Sequence, residues 1–207
     1  MLGSRSTALV ASAPSPLPRR RTLLVGALGA GALLGLGVTA PARADDVWTE
    51  EFMTRPETRE GFDVNALDSW QDQNARFILS VIAGHGLGRE AARITLITAI
   101  VESWLRNYEP AVDLDSGGLF QQRPSMGWGT AAQVRHKKLA VDAFLGLSEH
   151  SEAPGLLQVV PEYEAWDPGA AAQAVQASAH PERYHEQIPA ADALWDRFAD
   201  SVVPYTA

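Results

Sequence analysis

Residues 94–101 limit what this chain can fold into more than any other segment, because their only polar side chains are two threonines. The surrounding pattern predicts a helix from about Gly88 to about Leu105. A helix that is apolar on every side has no face suited to solvent, and it is normally the buried centre of a domain. We therefore expect the other elements of the chain to enclose this helix.

The rest of the chain also predicts helices, so the expected fold class is all-α. Apolar residues ahead of the central segment recur at spacings of three and four, which predicts an amphipathic helix from Asp68 or Ser69 to Gly84 or Gly86. No alternating apolar and polar run is long enough to predict a strand. A further helix is expected over 130–145, starting at a capping box and carrying Arg135, Lys137 and Lys138 on its outer face. A loop or short helix near 156–160 and a helix from Asp167 to about Ala179 should follow. A short segment holding Tyr184 then leads to a last helix with Leu194, Trp195 and Phe198.

The first 44 residues predict an export signal. They hold five arginines and no acid, and an arginine triplet at 19–21 precedes an uncharged run over 23–41 and an A-x-A site ending at Ala44. The paired arginines before Thr22 resemble a twin-arginine signal, so we expect a secreted or cell-wall protein. A membrane anchor is the alternative, because the uncharged run could just span a bilayer.

The remaining chain is divided into an N-terminal arm over 45–65 and a folded domain over 66–207. The arm is polar and aperiodic, and we expect it to be ordered only if Trp48, Phe52 or Phe62 docks on the domain. Without the signal, twelve Lys and Arg face 25 Asp and Glu, a net charge of about −13. Nucleic acid and anionic membrane bind clustered Lys and Arg, so neither is an expected partner. The locally basic residues 135–138 are interpreted as a solvated helix face.

Cysteine and histidine usage excludes several chemistries. The chain has no cysteine, which excludes disulfides, thiolate zinc sites and a cysteine nucleophile. Its five histidines show no metal-ligand spacing. We therefore expect neither a metal nor a cofactor.

One carboxylate, Glu102, stands near the end of the predicted buried helix. Loss of water and the negative end of the helix dipole both disfavour its charged form, which predicts a raised pKa suited to a general acid. The alternative is an ordinary surface Glu paired with Arg106, which would lower the pKa instead. Position alone leaves both interpretations open.

The stretch after Glu102 has the composition of a sugar-binding loop. Residues 107–130 contain four glycines together with Gln121, Gln122 and Trp128. Amides bond hydroxyl and acetamido groups, an aromatic ring stacks on a pyranose face, and glycine lets backbone approach a ligand. Trp104 and Trp128 could each be core residues, but the glycine neighbours of Trp128 indicate an exposed loop and favour it as the sugar-facing one.

The order of these residues resembles a known signature. Glu102-Ser103, Asn107 and the segment S-G-G-L-F-Q-Q-R-P-S over 116–125 look like the E-S, N, S, G-L-M-Q and P-S elements of the lysozyme-like superfamily, specifically soluble lytic transglycosylases and goose-type lysozymes. The form D-x-D-S-x-G-L-F-Q-Q-R-P-S-x-G-W-G-T over 113–130 most closely resembles a transglycosylase-like domain of secreted actinobacterial proteins. The similarity extends over about 73–184.

This resemblance implies a mainly α-helical, lysozyme-like fold in which a buried central helix ends at a catalytic Glu102 in a peptidoglycan cleft. In lytic transglycosylases that acid protonates the oxygen between N-acetylmuramic acid and N-acetylglucosamine, and it then acts as base while the muramyl 6-hydroxyl closes a 1,6-anhydro ring. Goose-type lysozymes deliver water with the help of loop aspartates, a catalytic role open to Asp113 and Asp115. Turn formation is the alternative for these two residues.

The candidate substrate-binding residues extend beyond this loop. They are Ser116, Gln121, Gln122, Arg123, Trp128, Gln176 and Tyr184. The Y-N-A-G segment that lines the family's cleft is absent, and residues 175–178 are expected in its place; a Tyr ahead of a helix is, however, more often a core residue. Arg123 either holds a muramyl carboxylate or peptide, or neutralises Asp113 or Asp115.

The leading hypothesis is an exported enzyme that cleaves the β-1,4 bond of peptidoglycan glycan strands with Glu102 as its essential acid and base. The competing hypothesis is a catalytically weak peptidoglycan-binding module with the same cleft, which a missing second carboxylate would favour. An exported carrier of metal or small molecules would need a converging set of ligands that the sequence does not contain.

Overall fold

The computed structural model describes residues 61–108 and 114–206, and within these ranges the protein is all-α, as predicted. The export signal, Trp48, Phe52 and Asp113 lie outside the described residues. The α-helices in the described ranges are α1 (Ser69–Gly84), α2 (Arg89–Ser103), α3 (Lys137–Leu145), α4 (Leu156–Val159), α5 (Pro168–Gln176), α6 (Glu182–Glu186) and α7 (Ile188–Phe198), and 3₁₀ helices occupy Pro124–Met126, Tyr163–Ala165 and Ala199–Ser201. These ranges contain no strand, and one isolated antiparallel bridge joins Gly117 to Gln122.

Helix α2 is the centre of the domain, which confirms the prediction from its apolar sequence. It packs against α1, α3, α5, α6 and α7, and its residues 94–100 are at most 1% exposed. The two threonines need no outside partner, because Thr95 donates to the Ala91 carbonyl at 2.7 Å and Thr98 to the Ile94 carbonyl at 2.8 Å. Both polar groups are thus satisfied within the helix, and the segment 94–100 is suited to burial on every side.

The chain leaves α2 through two residues in the left-handed conformation, Trp104 (φ 55°) and Leu105 (φ 59°). Side-chain amides of α1 hold this exit in place. Gln71 Nε2 donates to the Trp104 carbonyl at 3.0 Å, and Asn74 Nδ2 donates to the Leu105 carbonyl at 2.8 Å. Because a non-glycine residue in this region costs about 1–2 kcal/mol, these bonds offset part of that cost and fix the end of α2 where Glu102 lies.

Helix α1 begins as predicted, with Asp68 as its N-cap. The Asp68 carboxylate accepts from the Gln71 amide nitrogen at 2.9 Å, and the Gln71 side chain accepts from the Asp68 amide nitrogen at 3.0 Å, which completes a capping box. Ahead of α1 in the chain, Phe62 and Val64 pack against the hydrophobic core. The last residues of the predicted arm are therefore part of the folded domain.

The predicted helix over 130–145 is wrong in its first half. The capping-box bonds between Thr130 and Gln133 form, but turns follow and α3 starts only at Lys137. The Arg135 carbonyl, which a continuous helix would pair with the Leu139 amide, accepts instead from Asn107 Nδ2 at 2.9 Å. The Leu139 amide donates to the His136 ring, which caps α3.

The outer-face prediction is also wrong for one of the three basic residues. Lys137 is 1% exposed, and its ammonium lies 5.3 Å from the centre of the Phe77 ring. Because α3 starts seven residues later than expected, the sequence pattern did not show which of its residues face the core. Lys138 is half-buried and pairs with Asp142 in the next turn, so residues 135–138 do not form a uniformly solvated face.

The later helices follow the prediction with shorter bounds. Asp167 caps α5 by accepting from the Ala170 amide at 2.8 Å, but the helix ends at Gln176 rather than Ala179 because Ala177 is left-handed (φ 50°). Leu194 and Phe198 of α7 are buried, as expected. Among the residues that the structure describes, no helix combines the length and hydrophobicity needed to cross a membrane.

Replacing Gly118 with alanine should destabilise the domain by about 2–4 kcal/mol. Gly118 has a φ of +74°, and an added Cβ would lie 2.1 Å from the Val134 carbonyl oxygen, which is backbone and cannot swing away. Urea denaturation of the wild type and Gly118→Ala measures the loss. Gly61→Ala, where an added Cβ meets nothing within 4 Å, is the control; equal stability of both variants would contradict this account.

Candidate functional site

Glu102 lies half-buried in the last turn of α2 and meets a tyrosine from a distant part of the chain. The hydroxyl of Tyr184, in α6, donates to Glu102 Oε1 at 2.6 Å. Tyr184 is itself fully buried. The predicted alternative partner of Glu102, Arg106, pairs with Asp68 instead.

Tyr184 is held in its protonated, donating form. Burial raises the pKa of its hydroxyl, and the neighbouring charge of Glu102 raises it further. A phenol in this state can only donate to an ionised carboxylate, whereas a protonated carboxyl could also donate to it. The bond therefore orients the carboxyl group and leaves Glu102 Oε2 as the oxygen that Tyr184 does not hold.

A cleft of about 470 Å³ opens beside Glu102. Its walls come from three parts of the chain: the loop after α2, the segment around α4, and the C-terminal end of α5. The lining residues that carry polar or aromatic groups are Glu102, Gln121, Arg123, Trp128, Gln176 and Ser178, and apolar residues including Met126, Pro154 and Val159 complete the walls. A volume of this size accommodates a ligand of a few rings.

The serine and asparagine of the sequence signature bond backbone groups of the loop and do not line the cleft. Ser103 is 2% exposed and donates to the Leu119 carbonyl at 2.7 Å. Asn107 is 1% exposed and reaches the Arg135 carbonyl. Both residues tie the loop to its surroundings, and they therefore set the position of the loop wall relative to Glu102.

Three predicted substrate-binding residues do not line the cleft. Tyr184 is one of them, because it is fully buried and bonds Glu102 instead. The other two are Gln122 and Ser116. Gln122 is 1% exposed, and its Nε2 donates to the Ala140 carbonyl at 3.1 Å. Ser116 is 8% exposed. These positions are corrected to interior residues of the loop, because the loop folds back through the Gly117 and Gln122 bridge and turns both side chains away from solvent.

Other predicted residues do lie in the cleft wall. Gln121 is there with a left-handed backbone (φ 48°), and its Nε2 donates to the Gly118 carbonyl. Gln176 lines the opposite wall and approaches the Phe120 carbonyl at 3.5 Å. Residues 175–178 all line the cleft, where they were expected from the sequence.

Trp128 lines the cleft but is less accessible than its glycine neighbours suggested. It is 9% exposed and belongs to the hydrophobic core. The segment before α4 covers it, since the Gly127 carbonyl accepts from the amides of Glu152 and Ala153 at 2.8 and 3.1 Å. The sequence carried no signal for this contact, and so the cleft residues Ala153, Pro154 and Val159 were not predicted.

Asp115 is engaged in the loop and does not line the cleft. Its carboxylate accepts from Arg123 Nε at 2.8 Å, from the Ser125 amide at 2.6 Å and from the Ser125 hydroxyl at 3.0 Å. The ion pair with Arg123, together with the Ser125 bonds, lowers the pKa of Asp115 to about 2. So acidic a group is a poor general base, and Asp115 is corrected from a catalytic candidate to the turn-forming and charge-pairing role that was its alternative.

A second cavity of about 230 Å³ is lined in part by residues of the turn that holds Glu102. Val101 and Trp104 of that turn line it, together with Phe62, Arg183 and Gln187 among others. Tyr184, which follows Arg183, bonds Glu102. Chain neighbours of both Glu102 and Tyr184 therefore line this second cavity.

Non-glycine residues with positive φ concentrate around the cleft and the second cavity. They are Trp104, Leu105, Leu114, Gln121 and Ala177. Gln121 and Ala177 line the large cleft and Trp104 lines the small cavity. Backbone strain of this kind persists only where surrounding contacts enforce it.

Within the described ranges, no three His, Cys, Asp or Glu side chains converge as a metal site would require. No protein-family model matches this chain, and no curated protein matches it in sequence. The likeness to lytic transglycosylases therefore depends on the signature residues alone.

The pH dependence of stability should report the Asp115 network. Its pKa is lowered from 3.8 to about 2, so its contribution is fully present above about pH 4 and is lost as the pH falls toward 2. The stability difference between the wild type and Asp115→Asn, measured by urea denaturation at a series of pH values, should shrink across this window. Asp200→Asn, at an exposed position, is the control, and a difference that stays constant with pH would contradict the assignment.

Proposed function

We propose that this protein is an exported enzyme that cleaves the β-1,4 bond between N-acetylmuramic acid and N-acetylglucosamine in peptidoglycan, with Glu102 as acid and base. The observation that carries the proposal is the half-buried Glu102, oriented by the Tyr184 hydroxyl at 2.6 Å and opening on a cleft lined by amide, cationic and aromatic side chains. The signature residues of the sequence and the predicted export signal support the same conclusion.

The proposed reaction is that of a lytic transglycosylase. Protonated Glu102 donates its proton to the glycosidic oxygen, the bond from muramyl C1 to that oxygen breaks, and the N-acetylglucosamine side leaves as an alcohol. Glu102, now a carboxylate, accepts the proton of the muramyl 6-hydroxyl. At the same time the oxygen of that hydroxyl bonds to muramyl C1. The product is a 1,6-anhydro ring, and Glu102 has regained its proton, so that the cycle closes without water.

The carboxylates of the described part of the cleft favour this route over hydrolysis. Among the described residues that line the cleft, Glu102 is the single carboxylate, and Asp115 is committed to Arg123 and Ser125. A hydrolase commonly uses a second carboxylate as nucleophile or to activate water. An internal hydroxyl nucleophile is already held beside C1 by the substrate, so one acid and base group suffices.

The same observation leaves a second candidate function. A cleft whose described residues include one carboxylate also suits a peptidoglycan-binding module that holds glycan without cleaving it. The two candidates agree on the ligand and differ only in whether the Glu102 proton is used.

Glu102→Gln should lower the rate of peptidoglycan cleavage by about 10²- to 10⁴-fold, because glutamine cannot transfer the proton. Purified wild type and variant are incubated with peptidoglycan, and the soluble products are identified by mass spectrometry. Anhydro-muropeptides from the wild type support the transglycosylase, and products heavier by one water indicate a hydrolase.

Glu162→Gln makes the same chemical change at an exposed position and should leave the rate unchanged. If neither the wild type nor Glu102→Gln releases product while both bind peptidoglycan, the binding module replaces the enzyme. Equal rates for the wild type and Glu102→Gln would assign the proton transfer to another residue.

Tyr184→Phe should lower the cleavage rate by about tenfold, since it removes one hydrogen bond to the carboxyl group and keeps the ring that fills the core. Tyr163→Phe, at another buried tyrosine (7% exposed), is the matched control and should change the rate little. Thermal unfolding of both variants accompanies the rates. A rate loss that Tyr163→Phe reproduces would show that the Tyr184 hydroxyl does not act through Glu102.

A further inference from the structure

The side chain of Arg123 is anchored on one edge only. Its Nε donates to Asp115 Oδ1 at 2.8 Å, and its Nη2 donates to the Ser125 hydroxyl at 3.2 Å. A guanidinium presents two forks, each made of two nearly parallel N–H groups, and Nε and Nη2 form one of them. In the part of the chain that the structure describes, Nη1 donates to no protein acceptor. The second fork, made by Nη1 and the other hydrogen of Nη2, is therefore open.

The anchor is built from the loop itself. Asp115 also accepts from the Ser125 amide at 2.6 Å, and Ser125 lies in the 3₁₀ helix Pro124–Met126 that begins directly after Arg123. The Asp115 carboxylate and the Ser125 hydroxyl thus fix the orientation of the guanidinium, and the Ser125 amide fixes the carboxylate. The Arg123 side chain is 34% exposed, so its open fork remains accessible to a ligand.

Arg123 occupies the same cleft as the acid. Among the described residues that line it, Arg123 is the sole cation and Glu102 the sole anion. The chain as a whole has a formal charge of −8, so an anionic ligand gains no attraction from the protein at long range. Any preference for negative charge must come from a local donor, and an anchored guanidinium suits the planar geometry of a carboxylate.

We propose that Arg123 is the specificity-determining residue that selects glycan strands bearing carboxylates over neutral N-acetylglucosamine polymers, by binding a carboxylate of the muramyl residue through its open fork. The inference rests on the proposed function, since it names the feature of the substrate that the cleft recognises. The carboxylate has two sources in peptidoglycan, the lactyl group where the peptide has been removed and the stem peptide where it is present. Both present the same planar anion to Arg123.

Binding to three soluble ligands of matched length tests this proposal. They are a chitin oligosaccharide without carboxylates, a glycan strand stripped of peptide, and a glycan strand that carries its peptides. Affinities are measured by calorimetry on the full protein in a Glu102→Gln background, so that no ligand is consumed. Arg123→Gln should weaken binding of the carboxylate-bearing strands by about tenfold and leave chitin binding unchanged.

Two further variants separate recognition from loop structure. Arg123→Lys keeps the charge but lacks the fork, and it should fall between the wild type and Arg123→Gln. Arg197→Gln removes one positive charge at an exposed position of α7 outside the cleft, and it should change none of the affinities. Raised salt should reduce the preference for the charged strands, because the Arg123 fork is partly exposed.

The affinities of Arg123→Gln for the three ligands identify the carboxylate or contradict the inference. If Arg123→Gln weakens only the stripped strand, the lactyl carboxylate is the ligand; if it weakens only the peptide-bearing strand, a peptide carboxylate is. Equal weakening for all three ligands, chitin included, would overturn the inference and reduce Arg123 to a structural partner of Asp115. An unchanged affinity for both charged strands would overturn it as well.

Cleavage by the wild type is measured separately. If the wild type cleaves peptidoglycan but Arg123→Gln binds the charged strands as well as the parent does, this inference is wrong and the proposed enzyme function stands. Carboxylate-dependent binding without cleavage leaves Arg123 as the receptor of a binding module and removes the enzyme.

Discussion

A helix that is apolar on every side must be enclosed on every side, and the rest of this domain meets that requirement of α2. Five other helices pack against it, and its threonines bond to carbonyls within the helix. A buried helix must nevertheless come to an end, where its last carbonyls lose their intrahelical partners. The amides of Gln71 and Asn74 bond the carbonyls just beyond that end, and so α1 holds the end of α2 at which Glu102 lies.

The candidate site follows from this ending. Glu102 lies in the last turn of α2, while Tyr184 reaches it from α6, 82 residues later in the chain. The loop in between is held by Ser103 and Asn107, which are buried and bonded to its backbone. Signature residues of this kind are structural: they position the loop wall, and the groups that face the cleft are their neighbours. A rigid helix end, a buried phenol and a tethered loop together give the carboxyl group a defined orientation.

The features that could be predicted from the sequence are those with a local cause. The burial of α2 follows from its composition, the start of α1 from Asp68 and Gln71, and the start of α5 from Asp167 and Pro168. Features that depend on distant partners were missed. Lys137 is buried because Asn107 diverts the Arg135 carbonyl and delays α3, and Gln122 is buried because its loop folds back on itself. Tyr184 was expected either in the cleft or in the core, and it is in the core. Its contact with Glu102 depends on the packing of α6 against α2 and is not visible in either segment.

The left-handed residues at the cleft have a consequence for how this domain could change over time. At Gln121 and Ala177, glycine would relieve backbone strain of about 1 kcal/mol each, yet it would also free the segments whose stiffness shapes the walls. Stability and rigidity thus oppose one another at these positions. Selection for heat resistance alone would therefore be expected to act first on the surfaces remote from Glu102, and selection for a new ligand would act first on the strained walls.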